Sequence, residues 1–292
     1  MLLHASLWSI AALLECWRHR CCYLLAMAPP YHPCLAKSHS SQPSFVISNG
    51  EMTKEILESE VYKELESIQN NSLVYPAYYL KLFHPCDEEN LTSLAAAEAE
   101  PATMSMAMRA IPEASSADEA NEIIGAKCRA WRLVPVACTW ILQKDSVGLN
   151  MSPYFLTVAQ YKAKRGVPRK YPIRWIHANS EDTGLPAKSF DIVSISYVFH
   201  ECPTRAIVNI VNEAFRLLRL GGTLALIDNL PKSKILRELS PVLFTLMKRT
   251  KPFLDEYYLT DVEETMRKVD FVNIKSLLTY PRHITTTATI PQ

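Results

Sequence analysis

The chain has 292 residues, 48% of them hydrophobic, and a formal net charge of +1. It can bury a substantial core, as one large domain with extensions or as two small ones, and no global field directs it toward nucleic acid or an acidic partner. Its eight cysteines include no C-x-x-C pair and no Cys/His zinc spacing, which argues against a zinc module and for reduced thiols over a disulfide framework in a core of this size.

Residues 1–50 hold a single acidic residue, Glu15. The stretch from Leu2 to Trp17 is apolar but interrupted by His4, Ser6, Ser9 and Glu15. It is short for a membrane span of about 20 residues and lacks the basic start of a secretory signal, so no integral span is expected. From Met27 the text reads "MAPPYHPCLAKSHSSQPSFVISNG", rich in Ser and Pro and free of acids. That composition suits an organellar transit peptide, with a disordered tail as the alternative and Met27 as an alternative start.

Residues 51–71 place Met52, Ile56, Leu65 and Ile68 among charges at helical spacing. A Tyr/Pro segment, "LVYPAYYLKLFHPCDEENLT", follows. An Ala/Glu/Met-rich stretch comes next, with high helix propensity and expected breaks at Pro101 and Pro112. Residues 51–124 are therefore expected to form a helical cap on the remainder, the alternative being a loosely ordered linker.

From Ser146 the pattern alternates. "SVGLN" (146–150) predicts a short strand. Ser152 then caps a helix with Pro153 in its first turn, Lys162, Lys164 and Arg165 at its negative end, and Gly166 as a left-handed stop. "IRWIHA" (173–178) and "FDIVSISYVFH" (190–200) predict two further strands. A helix from about Pro203 to Arg219 follows, with Ile207, Ile210, Val211, Ala214 and Leu218 on one stripe and Gly221-Gly222 closing it. "TLALID" (223–228) reads as a strand covered on both sides. Thr260 with Glu263 makes a capping box, and "FVNIKSLLTY" and "HITTTATI" form an antiparallel pair. The expected fold for residues 125–292 is α/β: a doubly wound, Rossmann-like, mostly parallel sheet with a C-terminal antiparallel hairpin, plus the N-terminal helical extension. Ligands of such sheets bind at the carboxyl ends of the strands.

Those ends carry Asn150 after the first strand, Asn179, Glu181 and Asp182 after the second, and Ser196, Tyr197, His200 and Glu201 after the third. A polar residue after the first strand can hydrogen-bond ribose hydroxyls, one after the second can meet an adenine edge, and the third faces the reacting end. Each also has a plain reading. Asn150 can serve only to turn the chain, Glu181 and Asp182 can be solvated loop acids, and His200 and Glu201 can be loop hydrogen-bond partners rather than an acid/base pair.

The block "ANSEDTGLPAKSFDIVSISYVFHECP", with "RLLRLGGTLALID" after the helix, resembles the distal half of class I S-adenosylmethionine-dependent methyltransferases, nearest the type related to ubiquinone and menaquinone biosynthesis. The resemblance covers roughly residues 146–290, and "LSPVLFTLMK", "FLDEYYLTDVEETMRKVDFVNI" and "TYPRHITTTATIP" are similar to a plant plastid group of that type. It implies S-adenosyl-L-methionine as cofactor, a small-molecule methyl acceptor and a plastid location, a cytoplasmic one being the alternative. It implies a cofactor-binding set of Asn150, Met151, Asn179, Ser180, Glu181 and Ser196, and candidate catalytic groups Tyr197, His200 and Glu201. Asp191, inside its strand, reads as structural support.

The family also implies a Gly-rich turn, because only glycine lets the backbone approach the cofactor there. The chain has seven glycines where average usage gives roughly twenty. The expected place, "GAKCRAWRLVPVACTWILQKDS" (125–146), holds no G-x-G. Its mixed Cys/Trp/Arg character resembles text read in an unintended frame; if genuine, "RLVPVACTWIL" is apolar enough to fill a strand slot without the turn. With Asn150 standing where the family has an acid, cofactor binding is expected to be weakened. Two functions stay in view: methyl transfer to a small, hydrophobic or aromatic molecule, and a non-catalytic methyltransferase-like domain. A nicotinamide-dependent oxidoreductase shares the sheet but wants the same glycines.

Overall fold

A computed structural model describes residues 2–3, 43–80, 90–110, 113–116, 119–120, 146–166, 171–238, 240–241, 244–245, 248, 251–280 and 283–292. Seven strands form one sheet: β1 (Leu2–Leu3), β2 (Val147–Asn150), β3 (Arg174–His177), β4 (Phe190–Ser196), β5 (Leu218–Asn229), β6 (Val272–Tyr280) and β7 (His283–Thr289). Their order is β3-β2-β1-β4-β5-β7-β6. Neighbours from β3 to β5 run parallel, and β7 lies antiparallel to both β5 and β6, as the terminal hairpin predicts. Between β2 and β4 the backbone of Leu2–Leu3 pairs on both sides. "RLVPVACTWIL", expected in a strand slot, lies outside the described residues.

The expected fold class is the observed one. The sheet forms where the sequence is continuously apolar: all four residues of β2 are buried, as is the run Leu224–Asn229 of β5. A Cβ on Gly148 would come within 2.3 Å of the Trp175 ring on β3, so glycine is what lets these two strands pair beneath that indole. Helix α5 (Thr204–Leu217) buries Ile207, Ile210, Val211 and Ala214 completely against the sheet, the stripe that its 3.6-residue period predicts.

A second hydrophobic cluster joins the N-terminal helices to α4 (Pro153–Arg165). Ile56 of α1 (Pro43–Glu58), Val61 of the following 3-10 turn, and Ala96, Ala97 and Ala99 of α3 (Ser93–Ala110) pack with Phe155, Leu156, Val158 and Ala159. A one-turn helix, α2 (Leu65–Ile68), adds Ile68 to its margin. The partly buried Lys162–Glu100 ion pair ties α4 to α3.

Several local expectations are corrected. Helix α3 runs through Pro101 without a break; the missing N–H forfeits one bond to the Ala97 carbonyl, and the buried alanine face holds the helix. Gly166 is extended at φ −76° rather than left-handed. The third strand stops at Ser196, and Phe199–Glu201 form a short 3-10 turn. Helix α5 gives way at Leu218 directly to β5, which contains Gly221 and Gly222. The late helix α6 (Val262–Lys268) is capped one residue later than Thr260, by Asp261, whose Oδ1 accepts the Glu264 N–H at 2.8 Å.

Candidate functional site

The register places the strand ends side by side. Leu3 pairs with Leu149 on one side and with Ile195 on the other, so Asn150 and Ser196 stand level across one intervening strand, about 10 Å apart from the strand spacing. Asn150 pairs with His177 of β3, which puts the Asn179–Asp182 turn next to it. Asn150, Met151, Asn179, Ser180, Glu181 and Ser196 thus share one edge of the sheet, and Tyr197–Glu201 continue it.

Within that edge the polar atoms divide sharply. Asn150 Oδ1 accepts the Ser152 N–H at 2.6 Å, while Asn150 Nδ2 is buried with no hydrogen-bond partner among the described residues. Ser152 precedes α4 as expected, yet its side chain makes no capping bond; its Oγ is buried and open, as is Ser180 Oγ. A buried polar group without a partner costs about 1–3 kcal/mol, so three at adjacent strand ends mark a place made for something else to bond.

Other predicted residues are committed within the fold. Asn179 Oδ1 accepts the Glu181 N–H at 3.0 Å and shapes the turn. Glu181 was expected at an adenine edge, but its oxygens take Tyr78 Oη and Asn209 Nδ2, each at 2.7 Å, with Arg205 at 3.3 Å. It ties the turn to α5 and to the 70–80 segment. The carbonyl of Met151 accepts from His177 Nε2 at 2.8 Å, and His177 Nδ1 accepts the Asn70 N–H at 2.8 Å. His177 is therefore the neutral Nε2–H tautomer, with Tyr75 Oη 3.0 Å from the same nitrogen, and burial pushes its pKa below the ordinary value. The 70–80 segment is thereby latched over the carboxyl edge, with Tyr75 and Tyr79 stacked at 5.8 Å.

At the end of β4 the chain turns through Tyr197 at φ +56°, a conformation that strains a bulky residue by roughly 1–3 kcal/mol. That turn lays the next residues over Asp228 at the end of β5. Asp228 accepts the Phe199 N–H at 2.8 Å, its neighbour Asn229's N–H at 2.7 Å and His200 Nδ1 at 2.7 Å. Both His200 and Asp228 side chains are fully buried. The carboxylate fixes Nδ1 as the donor and leaves Nε2 as the acceptor face. Nε2 lies 3.5 Å from Glu201 Oε1, and that oxygen lies 3.7 Å from buried Lys251 Nζ. Tyr197 itself turns away, stacking edge-on against His283.

Asp228, Ser152, His177 and Lys251 are the site residues that sequence reasoning missed. Asp228 had a signal, since it is the acid that closes an apolar parallel strand; Ser152 was read only as a cap. Nothing around Lys251 or His177 marks them before the fold brings them in. Among the described residues no group of acidic, His and Cys side chains could hold a metal ion, and no helix is long and apolar enough to cross a membrane.

Comparison with known proteins adds the following. Residues 133–226 match the model of a family described as "Methyltransferase domain". No curated protein matches. Among solved structures, phosphoethanolamine N-methyltransferase 2 of Haemonchus contortus, in complex with S-adenosyl-L-methionine, is 14% identical with a TM-score of 0.40, over 50% of this chain and 43% of that one. An arsenic (III) S-adenosylmethionine methyltransferase from Chlamydomonas reinhardtii is 20% identical with a TM-score of 0.35, over 51% and 55%. A possible exported protein from Bordetella parapertussis is 10% identical with a TM-score of 0.44, over 87% and 100%. The chain thus spans less than half the length of the first of these. The family match overlies β2, β3, β4 and most of β5, so what is similar to a methyltransferase domain is the parallel part of the doubly wound sheet.

Proposed function

We propose that this chain binds S-adenosyl-L-methionine along the carboxyl edge of β2 and β3 and transfers its methyl group to a small, apolar or aromatic acceptor near the ends of β4 and β5. The observation that carries the reading is the trio of buried, open polar atoms, Asn150 Nδ2, Ser152 Oγ and Ser180 Oγ, at neighbouring strand ends. They fit an adenosyl group. Two hydroxyls can donate or accept toward ribose and adenine, and the amide can donate to a ribose oxygen. Ser196, at the end of β4, stands toward the methionine part. When bound, the cofactor supplies an electrophilic methyl on a sulfonium. The protein's part is to hold the acceptor in line with it and to exclude water. The 70–80 segment, latched through His177 and Glu181, and the aromatic rings of Tyr79, Phe253 and Tyr257, all buried, supply the dry walls.

Affinity is weakened relative to a site with a carboxylate at position 150. Oδ1 is spent on Ser152, and the remaining neutral donor forgoes a charge-assisted bond worth about 1 kcal/mol or more. The absence of any G-x-G in the chain works in the same direction and also supports the second reading, a methyltransferase-like domain without turnover. The composition of residues 27–50 supports delivery to a plastid. Thermal unfolding of the full chain with millimolar S-adenosylhomocysteine tests the proposal: a bound ligand at 100 times its Kd adds about 2.7 kcal/mol, so the melting temperature rises. A folded sample whose melting point does not move contradicts it.

A further inference from the structure

The seat proposed for the adenosyl group is shut. Asn150, Ser152 and Ser180 are 1%, 0% and 1% exposed, so a ligand reaches their open atoms only if part of the chain moves. The segment that closes against this edge, from Gln69 to Tyr79, is held differently at its two ends. At the far end Tyr78 and Tyr79 are buried in the main core. Tyr78 packs edge-on against Phe253 at 6.1 Å, its Oη donates to Glu181 at 2.7 Å, and the Pro76 carbonyl accepts the Tyr79 N–H at 2.9 Å. At the near end the ties are polar and converge on one side chain. The Asn70 N–H donates to His177 Nδ1 at 2.8 Å, Tyr75 Oη lies 3.0 Å from Nε2, and Nε2 donates to the Met151 carbonyl at 2.8 Å. Each tie lands beside an open atom: Met151 lies between Asn150 and Ser152, and Glu181 follows Ser180. Upstream, α2 packs on α4 and β3. Between these anchors Asn70, Asn71, Ser72 and Val74 are exposed, Val74 at 83%, so little apolar burial holds the span down.

We infer that residues 69–76 are a gate on the cofactor edge: the clasp on His177 lets go while α2 and the Tyr78–Tyr79 end stay docked, and the ligand enters past Met151. The inference rests on the cofactor reading and adds how that site is reached. The two ends differ in what opening costs. A neutral hydrogen bond contributes far less than a buried tyrosine ring, so the near end opens first. The Asn70 N–H then finds water, because Asn70 is already at the surface. Opening the far end would instead expose Tyr78 and Tyr79 and take the Tyr78 hydroxyl from Glu181. His177 keeps its bond to the Met151 carbonyl throughout, so the strand ends hold their shape while the span swings. Pro76 sets the limit of the swing. Its ring fixes its own φ and restricts Tyr75 before it, which leaves the motion to the backbone from Gln69, itself extended at φ −67° and ψ 124°, to Leu73.

Amide exchange and stopped-flow binding on the full-length chain test the gate. In the wild type without ligand, the Asn70 amide should exchange by local opening, at a rate that mild denaturant hardly changes, and about tenfold or more faster than the Tyr79 amide. Saturating S-adenosylhomocysteine should slow exchange at Asn70, since a filled seat holds the gate closed. His177→Phe, which removes the clasp, should speed association and dissociation of S-adenosylhomocysteine together, by about fivefold, and move its Kd by less than about twofold. Tyr75→Phe, which keeps the ring stacked on Tyr79, should act in the same direction with a smaller effect. A residue that only shapes the seat would weaken the Kd through dissociation alone. An Asn70 amide that exchanges only when the whole chain unfolds overturns the inference without any variant. Association rates equal in the wild type and the two folded variants overturn it as well. A folded wild type that binds no S-adenosylhomocysteine would instead strike the cofactor reading, while exchange at Asn70 still decides whether the span opens, so the two failures are distinguishable.

Discussion

The two halves of the carboxyl edge are built in opposite ways. At the ends of β2 and β3 the groups are neutral and partly open: Asn150 spends one of its two polar atoms on the backbone, and Ser152 and Ser180 spend neither hydroxyl. At the ends of β4 and β5 the groups are ionisable and interlocked, with one carboxylate, Asp228, receiving three backbone N–H groups and an imidazole. A surface meant to hold a polar ligand keeps capacity unspent until the ligand arrives. The second half fixes the His200 tautomer through Asp228, and the turn that brings the two together carries strain at Tyr197.

The sharpest way to break this contrast is to remove the carboxylate at its centre. Asp228→Ala leaves the Phe199 and Asn229 amides and His200 Nδ1 buried without their acceptor, and should destabilise the fold by about 3–5 kcal/mol. Urea unfolding measures it; a loss below roughly 1 kcal/mol would mean that the network is not a structural unit.

A smaller effect sits on the latch that holds the 70–80 segment over the β2/β3 half. His177 holds Asn70 and Met151 only while neutral, and burial has lowered its pKa from the ordinary 6.5. The unfolded chain therefore binds that proton more readily in the window just below 6.5. Stability rises with pH through the window and is lost as pH falls through it. Exchange of the Asn70 amide with solvent should accelerate on acidification across that window, and the pH slope of the melting temperature should flatten in His177→Phe.

The smallest expected effect is on Ser152. A serine that truly caps a helix loses about 1 kcal/mol on replacement by alanine, but this hydroxyl makes no bond. Ser152→Ala should change stability by less than about 0.5 kcal/mol while weakening binding of S-adenosylhomocysteine, a separation visible by comparing urea unfolding with calorimetry.

Periodicity made the sheet legible. The buried runs of β2, β4 and β5, the stripe of α5 and the terminal hairpin all follow from alternation of apolar and polar residues, because burial is what those patterns encode. Terminal details did not follow. Gly166, Thr260 and Pro101 each have a strong local preference that the structure does not follow at the end of α4, at the start of α6 or within α3. The positions of Asn150, Ser180, Ser196 and His200 along the carboxyl edge were readable from their place after apolar strands. Lys251 enters from a connection with no periodic pattern, and His177 lies within a strand where nothing separates a latch from a packing residue. The turn at Tyr197 was hidden because "SYVFH" reads as a continuation of the strand, and only the demand of Asp228 for donors ends it there.

The open atoms of Asn150, Ser152 and Ser180 are the proposed seat of an adenosyl cofactor. Calorimetric titration of S-adenosylhomocysteine into the wild-type chain and into Ser152→Ala/Ser180→Ala tests it most directly. Saturable binding to the wild type is expected, weakened about tenfold or more in the folded double variant. Equal affinity in the two proteins, or no heat of binding to folded wild type at millimolar ligand, would contradict it.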